Sequence, residues 1–432
     1  LSNTNHKVLR IGLAGLGTVG QGFIKLLKLN NDTIALKSER SIILSAVSAQ
    51  NKMKERSVSL EPYRWEEDPV KLATSHDIDV FIELIGGTDG IALEAVKAAL
   101  NAGKDVITAN KAMLAHHGFE LSQLAESQNL CIRFEAAVVG GVPVIKALSE
   151  GLAGNKLNRI CGVMNGTCNY ILTRMENQRL SYKSVFNEAK KLGYLEADPN
   201  LDVGGIDAGH KLSLLSSIAF GTQVDFNSME IEGIDRITIE DIEQASDMGY
   251  RIKLLGLSQL TDDGLEQRTQ PCLVPRYSPL GQIEGATNLV ALEGNFAGKI
   301  YLQGPGAGEG PTASAVMSDV IDLARGIRIP TFGQKVATQK KVSAINSASE
   351  APYYLRFELI DKPGILAKIA SSLGSANISI NRMRQYGHSS EVAPVIMLTH
   401  KTTPTQINRA INEIELSGVS TIKPLAIRIE ED

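Results

Sequence analysis

Cysteine is scarce: the 432-residue chain has four, Cys131, Cys161, Cys168 and Cys272. They form no Cys-x-x-Cys pair and no close regular spacing, which argues against a zinc ribbon or a disulfide framework. Reduced thiols in a cytoplasm are the simple expectation. Long apolar runs are missing as well, since none approaches the roughly 20 residues a membrane helix needs. The segment Leu1 to His6 is polar where a signal peptide would be apolar, so a soluble, unexported protein is expected. Charge of one sign is also lacking. A formal net charge of -4 at pH 7 makes no field for gathering nucleic acid or acidic lipid. What the chain does have is length, enough for two or three domains at the usual size of roughly 100–200 residues.

Strand-like and helix-like segments alternate in the first part. Val8 to Ala14, Ile42 to Val47, Val80 to Ile85 and Val106 to Thr108 are short apolar strands. An Ala-rich helix around Leu93 to Leu100 ends at Gly103. This alternation predicts a Rossmann-type, doubly wound parallel sheet over residues 1–134, completed by a helix near 312–335. Residues 135–311 read as an α+β domain for catalysis and dimerisation, with helical stretches around Tyr182–Leu192 and Asp207–Phe220. Residues 340–352 are polar and Ser/Ala-rich, as in a linker.

Residues 353–432 are the most legible. Tyr353–Ile360 alternates apolar and polar, and Asp361-Lys362-Pro363-Gly364 turns into a helix with Ile365, Leu366, Ile369 and Leu373 on one face. Ile378–Tyr386 and Val392–Leu398 are strands. Thr403-Pro404-Thr405-Gln406 then supplies an N-cap, a first-turn proline and a capping-box Gln. A strand over Ile422–Ile429 completes a ferredoxin-like βαββαβ order.

Three stretches carry chemistry. Gly15-Leu16-Gly17-Thr18-Val19-Gly20 follows a strand and opens a helix, where backbone N–H groups can hold a pyrophosphate. The second strand then ends without the acid that usually binds an NAD ribose. Ser48 and Gln50 stand there, with Lys52, Lys54 and Arg56 beyond, a set that suits the 2′-phosphate of NADP as well as a merely solvated basic loop. Lys111, in Thr108-Ala109-Asn110-Lys111, lies at the carboxyl end of a predicted strand, where open α/β sheets bind ligands, a place that suits an ordinary surface lysine equally well. Finally, the Gly/Pro-rich segment from Gly193 to Lys211 crowds four carboxylates before a helix. Asp207 and Lys211, four apart, share one helix face, which suits either a proton-donating lysine oriented by a carboxylate or a routine surface pair. His210 points elsewhere on that helix and reads as structural.

Taken together, these stretches resemble homoserine dehydrogenase. The resemblance is carried by Gly15–Gly20, Glu83-Leu84-Ile85-Gly86-Gly87, Thr108–Lys111, Glu135–Pro143, Asn165-Gly166-Thr167-Cys168-Asn169-Tyr170 and Gly193–Lys211, and it runs from about residue 8 to 335. It implies NAD(P)H-dependent interconversion of L-aspartate 4-semialdehyde and L-homoserine, a step towards threonine, methionine and isoleucine. Lys211 would be the proton donor, Asp207 and Glu196 would bind substrate, and Lys111 would assist near the nicotinamide. Cofactor contacts are expected at Gly15, Leu16, Gly17, Thr18, Val19, Gly20, Ser48, Gln50, Lys111 and Gly308. Gln50 stands where related sequences often carry Arg, which leaves NADP and NAD both open. The resemblance also implies a monovalent cation such as sodium at Glu135, Val138, Gly140 and Val142, and a homodimer or homotetramer.

The C-terminal unit resembles an ACT domain, an amino-acid-sensing module. That resemblance implies L-threonine as effector at Asp361, Gly364, Ile365, Asn377 and Ile378; a module that only dimerises is the alternative. Two other readings compete for the whole chain. An aspartate-semialdehyde dehydrogenase would need an activated cysteine, for which Cys168 is the one candidate. A non-catalytic sensor would not need the Asp207–Lys211 pair.

Overall fold

A computed structural model describes residues 8–195, 198–345, 349–385 and 392–431. Six parallel strands make the first sheet: β1 (Leu9–Ala14), β2 (Ile42–Ser48), β3 (Arg64–Glu66), β4 (Val80–Glu83), β5 (Asp105–Thr108) and β6 (Ile132–Arg133). Their spatial order, β3-β2-β1-β4-β5-β6, is that of the dinucleotide-binding fold. The central strands are buried on both faces, which is why they read as unbroken apolar runs rather than as alternation. The helix Glu309–Ala324 returns from far along the chain to cover this sheet. Its Ala313, Val316 and Val320 share a core with Phe23, Ile24 and Leu27 of the helix Thr18–Leu29. Gly22 permits that approach, since a Cβ there would stand 2.8 Å from the carbonyl oxygen of Glu309.

The second sheet has ten strands: β7 (Leu157–Val163), β8 (Glu230–Ile231), β9 (Tyr250–Leu260), β10 (Leu265–Pro275), β11 (Thr287–Gly294), β12 (Gly298–Pro305), β13 (Tyr353–Ile360), β14 (Ile380–Gln385), β15 (Val392–Thr399) and β16 (Leu425–Ile429). Nine of them run β12-β11-β7-β9-β10-β16-β13-β15-β14, and β8 pairs with β10. Within this sheet the last four strands and the helices Ile365–Ser375 and Pro404–Leu416 form the expected βαββαβ unit. Thr403 and Gln406 exchange the hydrogen bonds of a capping box, at 3.2 Å and 3.0 Å, as their spacing predicted.

The two units meet edge to edge. β10 and β16 pair in parallel, with Cys272 opposite Arg428 and Leu273 opposite Ile429. The described residues of the stretch expected as a linker pair with both units: Leu265 bridges Ala344, and Ala351 bridges Thr402. Among the described residues, no helix is long and apolar enough to cross a membrane.

Candidate active site

The helix Ile206–Phe220 starts after Gly205, whose φ of +84° turns the chain into it. Almost its whole length is buried, so Asp207 and Lys211 are no surface pair. The Lys211 Nζ donates to Asp207 Oδ2 at 2.7 Å and to the Met164 carbonyl at 2.8 Å. Asp207 Oδ2 also accepts from Asn165 Nδ2 at 2.9 Å, while Lys111 Nζ stands 3.1 Å from Asp207 Oδ1. Burial alone would raise the Asp207 carboxyl. The ammonium groups of Lys211 and Lys111, with the hydrogen bonds from Lys211 and Asn165, outweigh it and hold the group well below the usual carboxylate range.

Two strand ends deliver these partners. Met164 and Asn165 directly follow β7, and the Asn165 side chain accepts from Cys168 N at 2.7 Å, capping the helix Gly166–Gln178. Its amide also reaches Asp202 at 3.1 Å. Lys111 begins the helix Lys111–Ser127 just past β5. Thr108 donates to Glu83 Oε2 at 2.5 Å, and Glu83 Oε1 accepts from the N–H groups of Ile85 and Gly86. Asn110 caps the helix through Met113 N and donates to the Gly87 carbonyl at 2.7 Å. The carboxyl ends of β4 and β5 are thereby tied into one rim.

A cleft of about 870 Å³ opens between the sheets, with Val19, Lys111, Asp207, Lys211, Thr287 and Gly308 on its walls. It joins the glycine loop to the two lysines. Gly15 sits at φ +103°, where a Cβ would lie 2.2 Å from the Leu84 carbonyl oxygen, and a Cβ on Gly20 would lie 2.1 Å from that of Gly15. Gly17 differs: a Cβ there would meet nothing within 4 Å. Two glycines therefore close the turn, and the third leaves open space before the helix Thr18–Leu29, whose first turn has no acid and no side-chain cap. Such a cradle fits a pyrophosphate. Leu16 and Thr18 belong to the same turn.

The residues expected at the ribose lie at the tip of β2 and in the loop after it. Ser48 is buried at the tip of β2, and its carbonyl accepts from Gly15 N at 2.9 Å; Gln50 is exposed. The Arg56 guanidinium donates to the Asn51 and Lys54 carbonyls, and with Lys52 it flanks the Trp65 ring at 5.7 and 5.8 Å. Glu196 lies outside the described residues.

The remaining expected sites are placed as follows. The Glu135 carboxylate accepts from the N–H groups of Ile145 and Lys146 at 3.0 and 2.9 Å, and burial together with Asp319 pushes its carboxyl up to about 8. Val138, Gly140 and Val142 form the adjoining turn, with φ positive at Val139 and Gly140. Among the described residues, no group of three His, Cys, Asp or Glu side chains is arranged to hold a metal. In the C-terminal unit, Asp361 is exposed, Gly364 (φ +87°) precedes Ile365 at the helix start, and Asn377 (φ +59°) leads into the buried Ile378.

Sequence reasoning gave no role to Asn165 or Asp202, and it missed a buried network. There Arg133 bonds Asp322 at 2.5 Å, Lys146 stands 2.6 Å from Asp322, and Asp319 accepts from Glu135 N at 2.9 Å. An Asn directly after a strand and before a helix was a readable signal for Asn165; charged residues scattered over 190 positions offered none. Cys168 is fully buried, donates to the Asp202 carbonyl at 3.2 Å, and burial pushes its thiol well above the ordinary range. This is the opposite of an activated nucleophile.

Comparison with known proteins agrees with this geometry. Residues 143–321 match a family model described as homoserine dehydrogenase, residues 15–135 its NAD-binding domain, and residues 353–415 an ACT domain. The chain is 42% identical over 417 residues to a homoserine dehydrogenase of Neisseria gonorrhoeae, covering 95% of each. It is 38% identical over 436 residues to that of Pseudomonas aeruginosa, covering 98% of this chain and 99% of the relative. A solved homoserine dehydrogenase from Thiobacillus denitrificans superposes with a TM-score of 0.93 at 37% identity, covering 98% of this chain and 99% of that one. A hyperthermophilic archaeal homoserine dehydrogenase, solved in complex with NADPH, superposes at 0.62 with 26% identity over 73% of this chain and 97% of its own. The chain belongs to the homoserine dehydrogenase family, with an NAD-binding domain, a catalytic domain and a C-terminal ACT domain, and is an oxidoreductase acting on a CH–OH group.

Proposed function

We propose that this chain reduces L-aspartate 4-semialdehyde to L-homoserine with NADPH or NADH, and that Lys211 is the proton donor. One observation supports this best: a lysine held by a buried carboxylate stands on the wall of a cleft that runs to a dinucleotide-binding loop. The nicotinamide supplies hydride to the aldehyde carbon. Lys211 gives its proton to the aldehyde oxygen, which becomes the hydroxyl. Asp207 fixes the direction of the Lys211 ammonium and, with Glu196, accepts from the amino-acid end of the substrate. Lys111 balances the second oxygen of Asp207 and faces the nicotinamide.

Gly15 to Gly20 and Gly308 hold the dinucleotide in this reading, with Ser48 and Gln50 at its ribose and NADP preferred to NAD. Glu135, Val138, Gly140 and Val142 hold a monovalent cation such as sodium, the last three through backbone carbonyls. Oxygen donors suit a hard cation, and each Glu135 carboxylate oxygen accepts one N–H group and keeps a second lone pair. The ACT domain takes L-threonine at Asp361, Gly364, Ile365, Asn377 and Ile378 and lowers activity, in a cytoplasmic homodimer or homotetramer serving threonine, methionine and isoleucine synthesis. The deciding assay mixes purified protein with aspartate semialdehyde and either NADPH or NADH, across a threonine titration. Cofactor oxidation is expected with NADPH, falling as threonine rises. No oxidation with either nucleotide would overturn the activity, and a flat threonine titration would overturn the regulation alone.

A further inference from the structure

Two cavities meet at the Lys111–Asp207 ion pair. The cleft carries Lys211 on its wall. Behind it a second cavity of about 310 Å³ is lined by Gly86, Gly87, Thr88, Ala112, Leu201 and His210, and shares Ala109, Lys111 and Asp207 with the first. The pair is thus a partition with one face on each side. Resting on the activity proposed above, this geometry bears on a step that activity leaves open.

A proton donor used once per turnover has to be refilled. The Lys211 side chain is only 11% exposed before anything binds, and a substrate and a dinucleotide in the cleft would cover what remains. Its two bonded neighbours are the Met164 carbonyl, which can accept a proton's hydrogen bond but cannot pass a proton on, and Asp207, which can do both. The second Asp207 oxygen faces Lys111, whose side chain is 26% exposed. The residue nearest to an alternative source is His210, which packs against His116 and Phe226; burial and His116 lower its pKa to about 4, so its ring is neutral near pH 7.

We propose that Lys211 is re-protonated from the second cavity, through Asp207 and Lys111, while the cleft is still occupied. The balance is simple. Hydride addition leaves an alkoxide, which takes a proton from the Lys211 ammonium and becomes the hydroxyl; Lys211 is left as an amine. Asp207 Oδ1 then takes a proton from Lys111 Nζ, the carboxyl group turns about its Cβ–Cγ bond, and the same proton passes to Lys211 Nζ, so Asp207 ends as the carboxylate it began as. Lys111, now an amine, takes a proton from water in the second cavity. No oxidation or reduction occurs beyond the hydride transfer. Loss of the Lys211 charge removes one of the two cations that disfavour protonating Asp207, so the relay opens only after Lys211 has donated.

The test uses the full chain and the semialdehyde reduction assay. Lys111→Ala is expected to lower kcat by about 10²-fold or more, in the range typical of lost acid–base catalysis, with a larger solvent deuterium isotope effect on kcat than wild type. Ethylammonium, small enough for the second cavity, should restore at least tenfold of the loss in a saturable way. Ala112→Phe narrows that cavity from the neighbouring helix position, and in the Lys111→Ala background it should abolish the rescue. Rescue that survives Ala112→Phe would place the amine in the cleft and overturn the relay, as would an unrescued variant with an unchanged isotope effect, which marks Lys111 as a binding group. A wild type that consumes no cofactor would overturn the activity itself, so the two failures are distinguishable.

Discussion

The Arg356 guanidinium, on the first strand of the ACT domain, stands 3.0 Å from Asp241 Oδ1 in the catalytic domain, and Asp241 is wholly buried. The Tyr354 hydroxyl donates to the same oxygen at 2.8 Å. Asp241 also closes the capping box of the helix Ile239–Asp247 with Thr238. Burial raises the Asp241 carboxyl more than Arg356 and these hydrogen bonds lower it, so the pair is a junction whose charge is tolerated rather than a source of net stability.

Arg356→Met should therefore destabilise the protein by about 3–5 kcal/mol, because it strands a buried charge. Adding Asp241→Asn should recover most of that loss, since the stranded group is then neutral. Thermal unfolding of wild type, both single variants and the double variant measures the coupling. Equal, additive losses would show that the two residues act independently.

Lys211→Ala removes the proposed proton donor but touches no group of the glycine loop. Turnover should fall by about 10²–10⁴-fold, while the Kd for NADPH, read by fluorescence titration, stays within about twofold of wild type. A Kd that rises in parallel with the loss of kcat would mean that the variant has damaged the cleft as a whole.

Much of this arrangement was legible in the sequence. The first sheet followed from apolar runs separated by helical periodicity, and the C-terminal unit from alternation in Tyr353–Ile360 and the cap at Thr403, because local patterns determine local elements. What stayed hidden depends on partners far away in the chain. Nothing in Leu273 or Ile429 alone tells that β10 and β16 pair, nor that β9 and β10 are long strands, since both are buried on each face and lose the period-2 signal. The site divides likewise. Asp207 and Lys211 were recognisable as neighbours on a helix, yet spacing does not reveal whether that face is wet. Only the surrounding Met164, Asn165 and Lys111, brought from other strand ends, make the pair a buried one.

The depressed Asp207 carboxyl has a stability consequence with a definite sign. Its folded pKa lies below the unfolded value of about 3.9, so its contribution is fully present above about pH 4 and is lost as pH falls through the folded value. Asp207→Asn should be less stable than wild type at neutral pH, and the gap should shrink as pH drops below about 4. Urea midpoints for both proteins at a series of pH values give the gap directly. A gap that widens on acidification would contradict the charge pattern assigned to Lys211, Asp207 and Lys111.

Cofactor choice is the last quantity the chain itself can be made to report. Gln50 is exposed just past the end of β2, within a loop that also carries Lys52, Lys54 and Arg56. Arg56 spends its guanidinium on the carbonyls of its own loop, so it is not preorganised as a fork for a phosphate, and a neutral Gln at position 50 offers none either. Gln50→Arg adds a planar cation at the open edge, where charge-assisted bonds to a 2′-phosphate contribute roughly 1.5–3 kcal/mol. The KM for NADPH should fall about tenfold or more, and that for NADH, which has no 2′-phosphate, should stay near its starting value. Steady-state kinetics with both nucleotides reads the ratio. If both KM values fell together, the new arginine would be acting on the shared pyrophosphate, and the ribose end would have to be sought away from the tip of β2.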